Sequence, residues 1–99
     1  MVPVTIYTRD GCSYCVAALS LLRKKNASFV EFNASKEPSY RAEMMQKSGR
    51  TTFPQIFIGT KHVGGCDDLH ALDARGGLDP LLNGCRDVQG RRYTDAVRA

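Results

Sequence analysis

Hydrophobic positions in this chain recur with two different periods, and the switches between them outline its elements. Val4 to Tyr7 is a short β-branched and aromatic run that reads as a strand, ended by a turn at Gly11. From Cys12 the spacing becomes helical. Cys15, Ala18, Leu19 and Leu22 share one face, Arg23, Lys24 and Lys25 suit the negative end of the dipole, and Asn26 can close the helix. Ser28 to Phe32 reads as a second strand. A strand, a helix and a strand this close together make a βαβ unit, so the two strands should be parallel with a right-handed crossover. Glu37 to Lys47 is predicted as a second helix, with Pro38 in its first turn and Ser48-Gly49 at its end. Gln55 to Ile58 and Lys61 to Val63 form a hairpin around Gly59-Thr60, which Gly64-Gly65 breaks. Cys66 to Arg75 is a third helix, stopped by Gly76-Gly77, and Leu78 to Leu82 is a last short helix or docking turn. The order β-α-β-α-β-β-α predicts an α/β domain. Its four-stranded mixed sheet would have a parallel half, an antiparallel hairpin, and helices on both faces.

Length and composition narrow the class without changing the picture. Ninety-nine residues make one domain, expected over 1–83, followed by a polar tail over 84–99 that lacks hydrophobic periodicity. The tail is expected to be mobile, with room for a short helix over Tyr93 to Val97. The 42% hydrophobic and 24% charged fractions are those of a globular protein, and no apolar run is long enough to cross a bilayer. Met1 leads directly into the first strand without a basic n-region or an apolar h-region, so the expected compartment is cytoplasmic. Thiols are kept reduced there, and four cysteines then point to catalysis or metal binding before structural disulfides. The net charge of +4 owes half its excess to the tail, and no helix carries a dense basic stripe. Nucleic acid and membrane are therefore not expected partners, and only a mild attraction for small anions follows.

The segment TRDGCSYCVAALSLLRKK concentrates the chemistry. Cys12 and Cys15 stand three positions apart at a helix start, one turn apart on one face, with Cys12 expected at an exposed lip and Cys15 more inward. Unpaired first-turn N–H groups, the positive dipole end and the Arg9 cation all favour a thiolate. An ordinary thiol of pKa about 8.5 is only about 3% ionised at pH 7, so a fall to about 5 raises the thiolate roughly 30-fold. A Brønsted slope of about 0.4–0.5 takes back a similar factor in nucleophilicity, so the lasting gain is in Cys12 as a leaving group. A zinc site and inert packing compete with this redox reading. Zinc bound by four thiolates normally shows two C-x-x-C knuckles, and Cys66 and Cys85 stand alone.

Two further segments carry signals. In GRTTFPQIFIG, Pro54 precedes an apolar strand; it is either a strand-initiating proline or a cis-proline beside the thiols that leaves the Phe53 backbone free to pair. In VGGCDDLHALDARGG, a Gly-Gly pair precedes a helix whose first N–H groups could bind an anion or be capped by Asp67 or Asp68. His62 and His70 are expected at the surface, and Cys85 as an incidental surface thiol.

Together, and in this order, these three segments resemble the glutaredoxins, the glutathione-dependent branch of the thioredoxin-like fold. The resemblance runs to about Leu82 and is closest to the small bacterial dithiol members, which carry RTT-x-PQIFI and GGCDDL-x-ALDARGGLDPLL runs; the absence of tryptophan agrees. It implies a glutathione-dependent thiol–disulfide oxidoreductase acting on protein–glutathione mixed disulfides and protein disulfides. Cys12 would be the nucleophile and Cys15 the resolving thiol. Tyr14 would flank glutathione, and Arg9 and Arg41 would hold its glycine carboxylate. Thr52, Phe53 and Pro54 would line the groove, and the amides of Cys66 and Asp67, with the Asp67 carboxylate, would take the γ-glutamyl end. Glutathione enters as co-substrate, no metal is implied, and the chain would act as a monomer. Ser13 in place of the proline of C-P-Y-C and Phe53 in place of a common valine depart from the pattern. Some members without that proline hold a [2Fe–2S] cluster between two chains through Cys12 and glutathione, which is the alternative function.

Overall fold

The computed structural model describes residues 2–84. Cys85, the tail and the helix expected over Tyr93 to Val97 lie outside the described residues. Within them the elements follow the order β1 (Val4–Thr8), α1 (Ser13–Lys24), β2 (Phe29–Asn33), α2 (Ser39–Ser48), β3 (Gln55–Ile58), β4 (Lys61–Gly64), α3 (Cys66–Ala74) and α4 (Leu78–Leu82). The strands form one sheet in the order β2-β1-β3-β4. β1 runs parallel to β2 with Val4 opposite Phe29, and antiparallel to β3 with Tyr7 opposite Gln55. β3 and β4 make the antiparallel hairpin. Both the mixed sheet and the parallel βαβ unit are as the hydrophobic pattern predicts.

Alternation along the two central strands sends side chains to two separate cores. Val4, Ile6, Ile56 and Ile58 face one side, where Ala18, Leu19, Leu21 and Leu22 of α1, Leu69 of α3, and Leu78 and Leu82 of α4 cover them. Tyr7 and Phe57 face the other side and pack with Met44 of α2, joined by Phe32, Tyr40, Met45 and Phe53. The Tyr7 hydroxyl donates to Glu43, and burial followed by that contact drives the phenol well above its ordinary pKa. One face is aliphatic and the other aromatic.

Small shifts from the expected boundaries have local causes. The second helix starts at Ser39 rather than Glu37, with Pro38 as a cap already in helical geometry at φ −57°. Gly49 closes it in the left-handed region at φ 71°, its N–H reaching Met45 O at 2.9 Å. The second strand lies one residue later than expected because the pairing runs on to Thr8 and Asn33.

Candidate active site

Cys12 is the N-cap of α1. Its backbone is extended, its carbonyl accepts the first helical bond from Val16 at 3.1 Å, and its sulfur accepts the Cys15 N–H at 3.2 Å. A sulfur thus stands where serine or aspartate usually caps a helix. No acidic residue occupies the first turn of α1, so the positive end of the dipole acts on that sulfur without an internal counter-charge.

The Cys12 residue is only 5% exposed, which corrects the expectation of an exposed lip. The reason is tertiary: the chain before β3 crosses over it, and the Cys12 thiol points at the carbonyl oxygen of Phe53, 3.9 Å away. The Phe53–Pro54 peptide is cis, the second of the two readings open for that proline. Cys15 is buried as expected, at 3% exposure. Burial, then its hydrogen bond to the Cys12 sulfur, pushes the Cys15 thiol up to about 12, against a lowering contribution from the Arg9 backbone.

Beside Cys12 lies a groove of about 170 Å³ lined by Tyr14, Phe53, Pro54, Gly65, Cys66, Asp67 and Asp68. It joins the start of α1, the segment before β3 and the start of α3. Five of the expected binding positions therefore meet there: Tyr14, Phe53, Pro54, Cys66 and Asp67. Arg9, Arg41 and Thr52 are exposed but do not line it. Tyr14 stands out into solvent at 62% exposure.

The α3 wall of the groove is built differently from the α1 wall. The Asp68 carboxylate reaches back to the Gly65 N–H at 3.0 Å and takes the Arg50 guanidinium at 3.2 Å. The Gly65 bond and then Arg50 hold its carboxyl below the usual range. Gly64 makes this cap possible: its φ is +120°, and a Cβ there would meet the Asp68 carboxylate at 2.2 Å. Cys66 is 8% exposed, and its thiol is pushed up by burial first, then by Asp67 and by the nearby Cys12. Its sulfur lies 3.4 Å from Nδ1 of His70.

Sequence reasoning named Asp68 only as a cap and did not find its partner Arg50, because ion pairing between residues 18 positions apart leaves no local pattern. It also placed His62 simply at the surface. His62 is instead half-buried, stacked on Phe57 with centroids 4.8 Å apart, and bonded to Gln55; burial and Arg50 lower its pKa. Among the described residues no group of three or more His, Cys, Asp or Glu side chains is arranged to hold a metal ion. Among the described residues no helix is long and apolar enough to cross a membrane.

Comparisons with known proteins give a consistent result. The Glutaredoxin family model matches residues 4–63. Glutaredoxin 3 of Escherichia coli K12 is 57% identical over 82 residues, covering 83% of this chain and 99% of that protein. The solution structure of a Brucella melitensis glutaredoxin is 62% identical with a TM-score of 0.72, over 83% of this chain and 89% of that one. The crystal structure of a buckwheat glutaredoxin–glutathione complex has a TM-score of 0.77 at 30% identity, over 85% of this chain and 79% of that one.

Proposed function

Because the chain belongs to the glutaredoxin family, and is therefore a thiol–disulfide oxidoreductase, we propose that glutathione is its reducing co-substrate and that Cys12 and Cys15 are its redox pair. One observation carries the reading. The sulfur that caps α1 sits against the Phe53 carbonyl, at the edge of a groove whose opposite wall is the start of α3. The complex of the buckwheat relative with glutathione supports the choice of tripeptide.

In the proposed reaction the Cys12 thiolate attacks the glutathionyl sulfur of a protein–glutathione mixed disulfide. That S–S bond breaks, the protein leaves as a thiolate that takes a proton, and Cys12 becomes glutathionylated. A glutathione thiolate then attacks the bound glutathionyl sulfur, releasing glutathione disulfide and restoring Cys12. With a protein disulfide, Cys12 forms the mixed disulfide with the substrate and Cys15 displaces it; two glutathiones then reduce the Cys12–Cys15 bond. Burial first, and then the hydrogen bond to Cys12, hold the proton on Cys15, so external glutathione would compete with Cys15 for the mixed disulfide.

For the ligand, Tyr14, Phe53 and Pro54 would hold the cysteinyl centre against Cys12. The Cys66 and Asp67 amides and the Asp67 carboxylate would meet the γ-glutamyl end. Arg9 and Arg41, at the surface outside the groove, would reach the glycine carboxylate; Thr52, expected as a groove residue, lies just outside the lining. The proposed setting is a cytoplasmic monomer acting on glutathionylated and disulfide-bonded proteins.

The deciding experiment is glutathione-coupled turnover of a small glutathionyl mixed disulfide by the full chain. Turnover by a colourless monomer supports the proposal. A chain that shows no turnover but purifies anaerobically as a coloured dimer overturns it in favour of the iron–sulfur function that Ser13 suggests.

A further inference from the structure

Gln55 has no part in the chemistry above, yet it is fully buried at 0% exposure. A buried primary amide is costly unless both its donors and its acceptor are satisfied. Here they are. Its Nε2 donates to the carbonyl oxygen and to the hydroxyl of Thr52, each at 3.1 Å. Its Oε1 accepts from Nε2 of His62 at 2.8 Å, which sets that ring nitrogen as the protonated one. His62 is in turn fixed as the cross-strand partner of Phe57, on whose ring it stacks. A chain of side chains therefore runs from β4 through β3 to residue 52. The next residue is Phe53, whose carbonyl faces the Cys12 sulfur and whose residue lines the groove.

The same segment has a second tie, the Arg50–Asp68 ion pair, but both of those side chains are about half exposed. Screened surface pairs of that kind contribute little. The buried amide is the stronger constraint, because Gln55 itself is shut off from water and would be left with unpaired polar atoms if these bonds were lost.

We infer that Gln55, held in orientation by His62, is a positioning residue that sets the Thr52–Phe53 backbone against Cys12 and so determines how tightly the groove takes its thiol-bearing ligand. That the ligand is glutathione rests on the function proposed above; the positioning itself does not.

The test uses Gln55→Met, which keeps the length and removes the bonds, and His62→Phe, which keeps the stacked ring and removes the donor. With a glutathionyl mixed disulfide as substrate, Gln55→Met should raise KM about 5-fold or more and His62→Phe about 2- to 3-fold, with kcat within about twofold. His62→Gln, which restores a donor, should recover most of the loss. Without any ligand, the Thr52 and Phe53 backbone should become more mobile in Gln55→Met, read as a fall in their NMR amide order parameters. Wild-type KM and wild-type order parameters in either folded variant would overturn the inference; should Gln55→Met not fold, His62→Phe decides. A wild-type chain that fails to turn over the substrate defeats the proposed function instead, and the order parameters still judge Gln55.

Discussion

Two helices, α1 and α3, aim their first turns at the same groove, and each begins with a cysteine, yet the two ends are electrostatic opposites. At α1 the cap acceptor is the Cys12 sulfur itself and the first turn holds no acid. At α3 the first turn holds Asp67 and Asp68, and the Asp68 carboxylate already takes the Gly65 N–H. The positive end of one helix meets only the Cys12 sulfur, whereas that of the other is answered by its own carboxylates. Cys66 accordingly sits with its proton held more firmly than usual, by burial and by Asp67. Two cysteines at helix starts thus meet different surroundings, set by whether carboxylates share the first turn.

The sharpest way to break this comparison is to exchange each sulfur for oxygen. Cys12→Ser should abolish turnover of a glutathionyl substrate, by roughly 10³-fold or more, while Cys66→Ser should cost less than about tenfold. Comparable losses in the coupled assay would erase the distinction between the two ends.

Next in size is the separation of roles within α1. Cys15→Ser should retain turnover of glutathionyl substrates within a few-fold but lose about tenfold or more in reduction of a protein disulfide. Equal loss in both assays would sink the division of labour. The raised Cys15 value also has a consequence for stability, with a definite sign. Because the folded thiol holds its proton more tightly, that contribution is whole below pH 9 and is lost as pH rises toward about 12. Melting temperature should therefore fall above pH 9 in the wild type, and fall less steeply in Cys15→Ser.

Finer still is to make each helix end resemble the other. Ser13→Asp places an acid in the first turn of α1 and should slow alkylation of Cys12 about 2- to 5-fold. Asp67→Asn removes one from α3 and should speed alkylation of Cys66 by a similar factor. Peptide mapping after brief iodoacetamide treatment reads both, and no change in either would remove first-turn charge as the cause. The smallest effect expected is on stability: Asp68→Ala removes the cap of α3 and should cost about 1 kcal/mol, seen as a shift in the denaturant midpoint.

How much of this was legible beforehand differs between local and distant features. The helix after Cys12, the stop at Gly49, the hairpin around Gly59-Thr60 and the break at Gly64-Gly65 each follow from residues within a turn or two of one another. Their boundaries moved by a residue or two, as where pairing extended a strand or Pro38 capped a helix. The groove itself was reached through family resemblance, which aligned three segments that no spacing rule connects. Gln55, His62 and Arg50 were passed over because their partners lie on other elements. A buried glutamine at a strand start looks in sequence like any polar strand residue.

The order of residues was enough to decide the local conformations: which segments coil, which extend, where the left-handed turns fall, and that a cysteine with no acid behind it would begin a helix. Folding alone decided that residue 53 comes to lie over residue 12, 41 positions away, covering the sulfur that seemed destined for the surface. The physical reason is range. Propensity and capping act over one helical turn, whereas burial and electrostatic surroundings depend on which strands become neighbours, and in this sheet β3 inserts beside β1.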